Sequence, residues 1–230
     1  MMKNDSVDLS AYIGEMGFDI LRILDIRDLP NEESRGFPTA IVFARSLPRI
    51  YFSNPGEGPG IDRAAFDRAA ERIDEDADRV ADEICRRGYR AISQSEERIL
   101  QRNEYREEQK RTPLPNKTLA VRAGIGWIGK SSLLVTEEYG AALLLGAVLT
   151  DLPLRMKPSF AKASQCGNCV LCVRNCPVKV LHGATWKDDM KRDQILDVFR
   201  CEKCLQCLVC CKFSKEYILD QSSMVSPHRR

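Results

Sequence analysis

Two short runs of cysteine constrain this chain more than anything else in it. The first, CGNCVLCVRNCP, places cysteines at 166, 169, 172 and 176; the second, CEKCLQCLVCCK, places them at 201, 204, 207 and 211. Each reads C-x₂-C-x₂-C-x₃-C, and every member of the second lies 35 residues beyond its counterpart. Four matched offsets mark an internal duplication of a ligand set. Nine of the ten cysteines fall between Cys166 and Cys211, and such density is metal ligation where thiols stay reduced and disulfide bonding where they do not. The N-terminal MMKNDSVDLSAYIGEMG has no continuous apolar run and reads as carrying no secretory leader. No window approaches 18 uncharged apolar residues, which argues against a membrane span. A cytoplasmic, metal-binding protein is therefore expected.

The spacing selects the metal centre. C-x₂-C-x₂-C wraps three thiolates around one cubane [4Fe–4S] cluster, and the fourth cysteine of each run, too far round the turn, ligates the other cluster. The expected sets are Cys166, Cys169, Cys172 with Cys211, and Cys201, Cys204, Cys207 with Cys176. Pro177 follows the fourth ligand of the first run in the usual way, whereas Lys212 takes that place in the second. Two Cys₄ zinc sites would use the same eight thiolates, but tandem runs of this form are atypical for zinc. Cys210 is surplus: a bystander, a substitute ligand or a reactive thiol. Residues 155–215 hold 12 Lys/Arg against 5 Asp/Glu, while two oxidised cubanes with their thiolates carry roughly −4. The basic surplus offsets that charge, forms a solvated surface, or docks an acidic redox partner of the ferredoxin or flavodoxin type.

The remaining chain, 230 residues in all, supports one substantial domain with an appendage. ILRILDI (20–26), TAIVFARSL (39–47) and AALLLGAVLT (141–150) read as buried strands and YRAIS (89–93) as a shorter one. Apolar residues from Phe66 to Ile84 recur at three- and four-residue steps, so 62–87 is a helix closed by Gly88, with Cys85 packed in it. SEERILQRNEYREEQKR reads as a charged, exposed helix that the two prolines of TPLPNK break. SSLLVTEEYG suits a helical turn, DDMKRDQILDVF a short helix between the cysteine runs, and NPGEGPG (54–60) a loop. Trp127 and Trp186 suit core or cluster-shielding roles, and His182 an exposed one. The resulting organisation is an α/β domain over 1–155, a cluster domain over 156–220 and a tail over 221–230. The net charge of +2 gives no push toward nucleic acid or membrane.

One loop carries two rival signatures. In AVRAGIGWIGKSS, Gly124, Gly129, Lys130 and Ser131 satisfy the phosphate-cradling G-x-x-x-x-G-K-[ST], and Gly124, Gly126 and Gly129 satisfy G-x-G-x-x-G. A phosphate loop follows a buried strand and opens a long helix. Here NKTLAVRA is weak as a buried strand, Trp127 and Ile128 crowd the loop, and Gly140 limits any following helix to about eight residues. Nucleotide hydrolysis is disfavoured.

The order of the motifs explains the loop better. RAGIGWIGKSSLLVTEEYG, then LGAVLTDLPL, then CGNCVLCVRNCP resembles the epoxyqueuosine reductases and, more distantly, the corrinoid-dependent reductive dehalogenases. MGFDILRILD (16–25) and the strand at Ile41–Leu47 also look like that family's opening. The resemblance implies a nitroreductase-like α/β domain that binds cobalamin, fed by a ferredoxin-like domain with two [4Fe–4S] clusters. It implies cofactor approach or a tight turn at Gly124, Gly126 and Gly129, with Lys130 beside them. The sequence ends soon after the second cysteine run, so a short form without the family's C-terminal helical-repeat region is expected. Lys110 or Arg111 stands where the family has an acid that donates a proton, leaving Tyr105, Lys110 and Arg111 as candidates. Cys211 is followed by Lys-Phe-Ser rather than Pro-Trp-Asn. An oxidoreductase with its own substrate and a non-catalytic electron-transfer or corrinoid-activating partner both fit these residues.

Overall fold

Four antiparallel strands form the central sheet of the computed structural model, which describes residues 5–53, 60–156, 159–187 and 190–220. β1 (Ile20–Asp25), β2 (Thr39–Ser46), β3 (Ala91–Ser93) and β6 (Leu143–Thr150) lie in the order β1-β2-β6-β3. β2 and β6 are central and pair with Ile41 opposite Val148 and Val42 opposite Ala147. Alternate residues face opposite sides. Ile41, Phe43 and Val148 enter one apolar cluster, and Ala40, Val42, Ala147 and Leu149 the other. Because both faces are covered, the central strands are unbroken apolar runs instead of alternating ones.

One face receives α1 (Asp5–Glu15) and α3 (Arg63–Arg86) through Leu9, Ile13, Ile73, Ala77, Val80 and Ile84. The Asp62 carboxylate caps α3 by accepting from the Ala65 N–H at 2.9 Å. At its far end Gly88 N–H reaches Cys85 O and Tyr89 N–H reaches Ile84 O, with Gly88 at φ +86°, as the sequence leads one to expect. Cys85 itself departs from expectation. It lies off the buried stripe, exposed, with Sγ 3.7 Å from Ala91 O.

The other face receives α5 (Asn116–Arg122) through Leu119 and Ala120, and a hairpin of β4 (Trp127–Ile128) and β5 (Leu134–Val135). Here two expectations are corrected. The segment before the glycine loop is a helix started by Pro115 at its N-cap, where a missing N–H costs nothing. The segment after it is strand β5, not a helical turn, with Ser132 held at φ +63°.

Two further segments are less helical than their composition suggests. The charged stretch after Ser95 is α-helical only in α4 (Glu96–Gln101), with a 3₁₀ turn at Glu107–Gln109, and Asn103 turns out of α4 at φ +53°. Tertiary ion pairs take over there: Arg35 Nε lies 2.6 Å from Glu104, and Arg106 pairs with Glu32, fixing the chain to α2 (Asn31–Ser34). Between the cysteine runs, the described residues form only a 3₁₀ turn at Arg192–Gln194. Ile195 is buried in the core, and its carbonyl accepts from His182 N–H at 2.9 Å while Asp197 N–H reaches Val180 O. Those bonds to residues 180–182 pin the segment as a turn and a single bridge in place of a helix. Residues 54–59 of the expected loop and the expected tail lie outside the described residues.

The cysteine region contains α6 (Leu171–Arg174), α7 (Gln206–Val209) and α8 (Lys212–Leu219). α8 is sewn to the sheet: the Ser214 hydroxyl accepts from Ala141 N–H at 2.9 Å, and Tyr217 OH donates to Leu47 O at 2.9 Å. Among the described residues no helix is long and apolar enough to cross a membrane.

Candidate functional site

The hairpin at 127–135 is the centre of the site, and its glycines explain its shape. Gly124 ends α5 at φ +66°, donating to Val121 O while Ile125 N–H reaches back to Ala120 O. A side chain at Gly126 would bring its Cβ within 2.1 Å of Val135 O, and one at Gly129 within 2.7 Å of Val135 Cγ2 and 3.7 Å of Cys166 Sγ. The two strands close only because these positions are bare. Gly129 N–H then donates to Leu133 O at 2.8 Å. A helix before the loop and a hairpin after it leave no strand–loop–helix frame for a nucleotide phosphate.

One side of the hairpin tip faces cysteine. Gly129, Lys130, Ser131 and Val135 bound a small enclosed space whose other walls are Cys166, Cys169, Cys172, Cys211, Lys212 and Phe213. The four thiols gathered there are the first expected ligand set. Lys130 is buried and donates from Nζ to Gly167 O at 2.7 Å, clasping the hairpin to the first cysteine run. Phe213 closes the space from behind, with its ring edge-on to Trp127 at 5.1 Å.

Cys176, Cys201 and Cys207 pack with Cys172, Val180 and Leu181 in a separate small cluster, and Cys204, exposed, lies near Cys207. The second expected set is thus also brought to one place. Cys210 is buried between the sets, close enough to Cys172 and Cys207 to influence both. Without bound iron, burial first and then the neighbouring thiols push Cys172 and Cys207 up to about 12. A metal that displaces those protons makes the thiolates stable there. Among the described residues, no three His, Cys, Asp or Glu side chains are drawn together tightly enough for a single metal ion.

The other side of the hairpin faces a cavity. Ile128 and Ser132 line a recess of about 510 Å³ together with Lys117, Val121, Trp186 and Met190. Arg111, Arg122, Arg192 and Glu33 supply its charge. A second recess of about 740 Å³ shares Arg111, Met190 and Arg192 and adds His182, which is exposed. Lys117 donates from Nζ to Ser132 O at 2.9 Å and Oγ at 3.2 Å; burial, then the charge of Arg192, lowers its pKa to about 8. Of the proton-donor candidates, Arg111 lines this cavity, Lys110 is turned to an ion pair with Glu107 that raises its pKa, and Tyr105 lies near Arg192. Sequence reasoning missed Lys117, whose only signal was a lysine near the start of a segment taken for a poor strand.

The known proteins that this chain is similar to are reductases. No known family profile matches the chain. The epoxyqueuosine reductase of Yersinia pestis is 46% identical over 66 residues, 28% of this chain and 15% of the relative. That of Pseudomonas aeruginosa is 29% identical over 113 residues, 49% and 27% respectively. Among solved structures, Bacillus subtilis epoxyqueuosine reductase aligns at TM-score 0.56 and 16% identity over 91% of this chain and 65% of that one. A catabolic reductive dehalogenase aligns at TM-score 0.70 and 18% identity over 93% of this chain and 33% of that one. The chain is therefore similar in part of its sequence to epoxyqueuosine reductases, and in fold to them and to the reductive dehalogenases. The matched segments span less than a third of these curated relatives' length.

Proposed function

We propose that this chain is an iron–sulfur reductase that passes single electrons through two [4Fe–4S] clusters to an acceptor in the basic cavity. Cys166, Cys169, Cys172 and Cys211 hold the cluster beside the hairpin. Cys201, Cys204, Cys207 and Cys176 hold the outer one, whose Cys204 is exposed and receives electrons from a ferredoxin- or flavodoxin-type partner in the cytoplasm. In this reading residues 1–155 form a nitroreductase-like domain, 156–220 a ferredoxin-like one and 221–230 a tail. The observation that carries it is the shared wall: Gly129, Lys130 and Ser131 touch the first thiol set, while Ile128 and Ser132 of the same hairpin touch the cavity. Gly129 and Lys130 thereby serve the cluster, and Gly124 and Gly126 shape the turn.

The acceptor is a substrate or a corrinoid. Trp186, Met190, Ile128 and Ile195 offer an apolar wall to a macrocycle and the basic side chains polar partners to its periphery. A corrinoid is larger than a drug-sized ligand, so it needs the adjoining recess as well. When bound it would supply a metal that takes up electrons one at a time. Ile128, Trp186 and Met190 would fix its orientation and exclude water on the hairpin side. A second reading, a corrinoid-activating or electron-transfer partner without its own substrate, is favoured by the missing acid: Lys110 is engaged with Glu107 and Arg111 is a permanent cation.

Anaerobic reconstitution followed by ultraviolet–visible and EPR spectroscopy, with and without cobalamin, tests both. The expected result is two reducible cubane signals and a corrinoid spectrum that changes when the clusters are reduced. Reducible clusters with no corrinoid binding select the second reading. A protein that assembles no cubane cluster ends both.

A further inference from the structure

Three cations line the cavity, and among the described residues Glu33 is the one acidic side chain lining it with them. Arg111, Lys117 and Arg192 line it together, and none of the three forms a salt bridge among the described residues. Lys117 is satisfied only by Ser132 O and Oγ. Arg192 donates to the carbonyls of Lys110, at 2.6 Å, and Gln109. Burial and Arg111 both work against the charge of Arg192, and Arg192 in turn works against that of Lys117. Asp193 and Tyr105 favour Arg192 from the side. Among the described residues the remaining charges lining the recess are Glu33 and Arg122, the latter committed to Asp28 at 2.5 Å.

Arg111 is exposed at the mouth of the recess while Lys117 and Arg192 are half-buried within it, and like charges lining one recess repel unless an anion binds between them. Two guanidinium forks and an ammonium make up the donor set that fits a phosphate or carboxylate group. Beside them Trp186, Met190 and Ile195 offer an apolar surface. The basic residues sit in a recess, not along a track, and the chain's net charge is only +2, which favours a small molecule over a polyanion.

We infer that Arg111, Lys117 and Arg192 form an oxyanion-binding site for a small ligand whose apolar body lies against Trp186 and Met190. This rests on the reading above only in making that ligand the electron acceptor. Binding itself is independent of it.

Isothermal titration of the oxidised, cluster-loaded protein with benzoate and with phenyl phosphate tests it, the pair separating a carboxylate site from a phosphate site. At least one probe binds with Kd below about 1 mM, and Arg111→Gln and Lys117→Gln each weaken it about tenfold while Lys117→Arg retains it. Arg111→Gln removes a side chain with no partner among the described residues, so it leaves the fold intact. Bound anion favours the charged lysine, so affinity falls as pH rises through about 8, and this dependence disappears in Lys117→Gln. The inference is overturned if neither probe binds, if the variants bind as well as the parent, or if a short single-stranded RNA alone shows the Arg111 and Lys117 dependence. Failure of the titration leaves the cluster spectra, and the electron-transfer reading, untouched.

Discussion

The sheet region and the cysteine region are held together by different physics. From β1 to β6 the chain buries long apolar elements on both faces of the sheet, with Phe43, Ile41, Val80, Ile84 and Leu149 at or near zero exposure. From Cys166 to Cys211 the only helices among the described residues are two of four residues each, α6 and α7. Helices that short do not sustain themselves, and the local apolar cluster consists largely of cysteines with Val180 and Leu181. One region can fold on hydrophobic burial; the other has too little of it to do so alone, and in the proposed reading its thiolates are tied by iron. Electron transfer as proposed would use this division, the cluster region holding a cofactor while the sheet keeps the cavity still.

Iron removal is the strongest way to break the comparison. Chelation is expected to melt residues 166–211 while the sheet keeps its strand circular dichroism, since metal binding energy is folding energy in such a site. Cys166→Ser and Cys201→Ser should each cut iron by about half, from roughly eight atoms per chain. Loss of the whole fold on chelation would show one cooperative unit in place of two.

Gly126→Ala comes next. Its Cβ would stand 2.1 Å from Val135 O, backbone that cannot swing aside, so about 3 kcal/mol is expected. Urea midpoints and cluster spectra check it. The cluster ligated by Cys166 should be lost and the one ligated by Cys201 kept, because only the first touches the hairpin. Asp76→Asn probes the opposite side. Asp76 is fully buried, with Arg45 at 2.8 Å and Arg79 also paired to it. Both arginines keep some water, so the cost is about 2 kcal/mol, below that of a fully enclosed pair, with cluster spectra unchanged.

How much of this was legible in the sequence depended on whether the signal was local. The strands at 20–26, 39–47 and 141–150 and the helix from Arg63 carry their own periodicity and caps, and the eight-cysteine pattern carries its own spacing. What failed was decided by distant partners. Glu104 leaves its expected helix for Arg35. Ile195 is buried in the core and fixes the inter-run segment as a turn instead of a helix. Lys117 looked like a reason to doubt a strand, and became meaningful only once α5 set it over Ser132 at the cavity wall. The glycine loop was ambiguous for the same reason: its residues suit a phosphate loop, and only the hairpin that Val135 forms with it rules that frame out.

The smallest expected effect lies on the seam between the regions. Ser214 is fully buried and its hydroxyl is the acceptor for Ala141 N–H, just before β6. Ser214→Ala leaves that N–H without a partner, at a cost of about 1 kcal/mol, and removes one of the hydrogen bonds tying α8 to the sheet region. The bond from Tyr217 OH to Leu47 O remains. If the regions are coupled mainly through α8, the variant should lower the melting temperature of the holoprotein while leaving that of the iron-free sheet unchanged, because without iron Cys211 no longer holds α8 in place. Equal shifts in both forms would mean that α8 belongs to the sheet, and that the division between the two regions falls at Cys211.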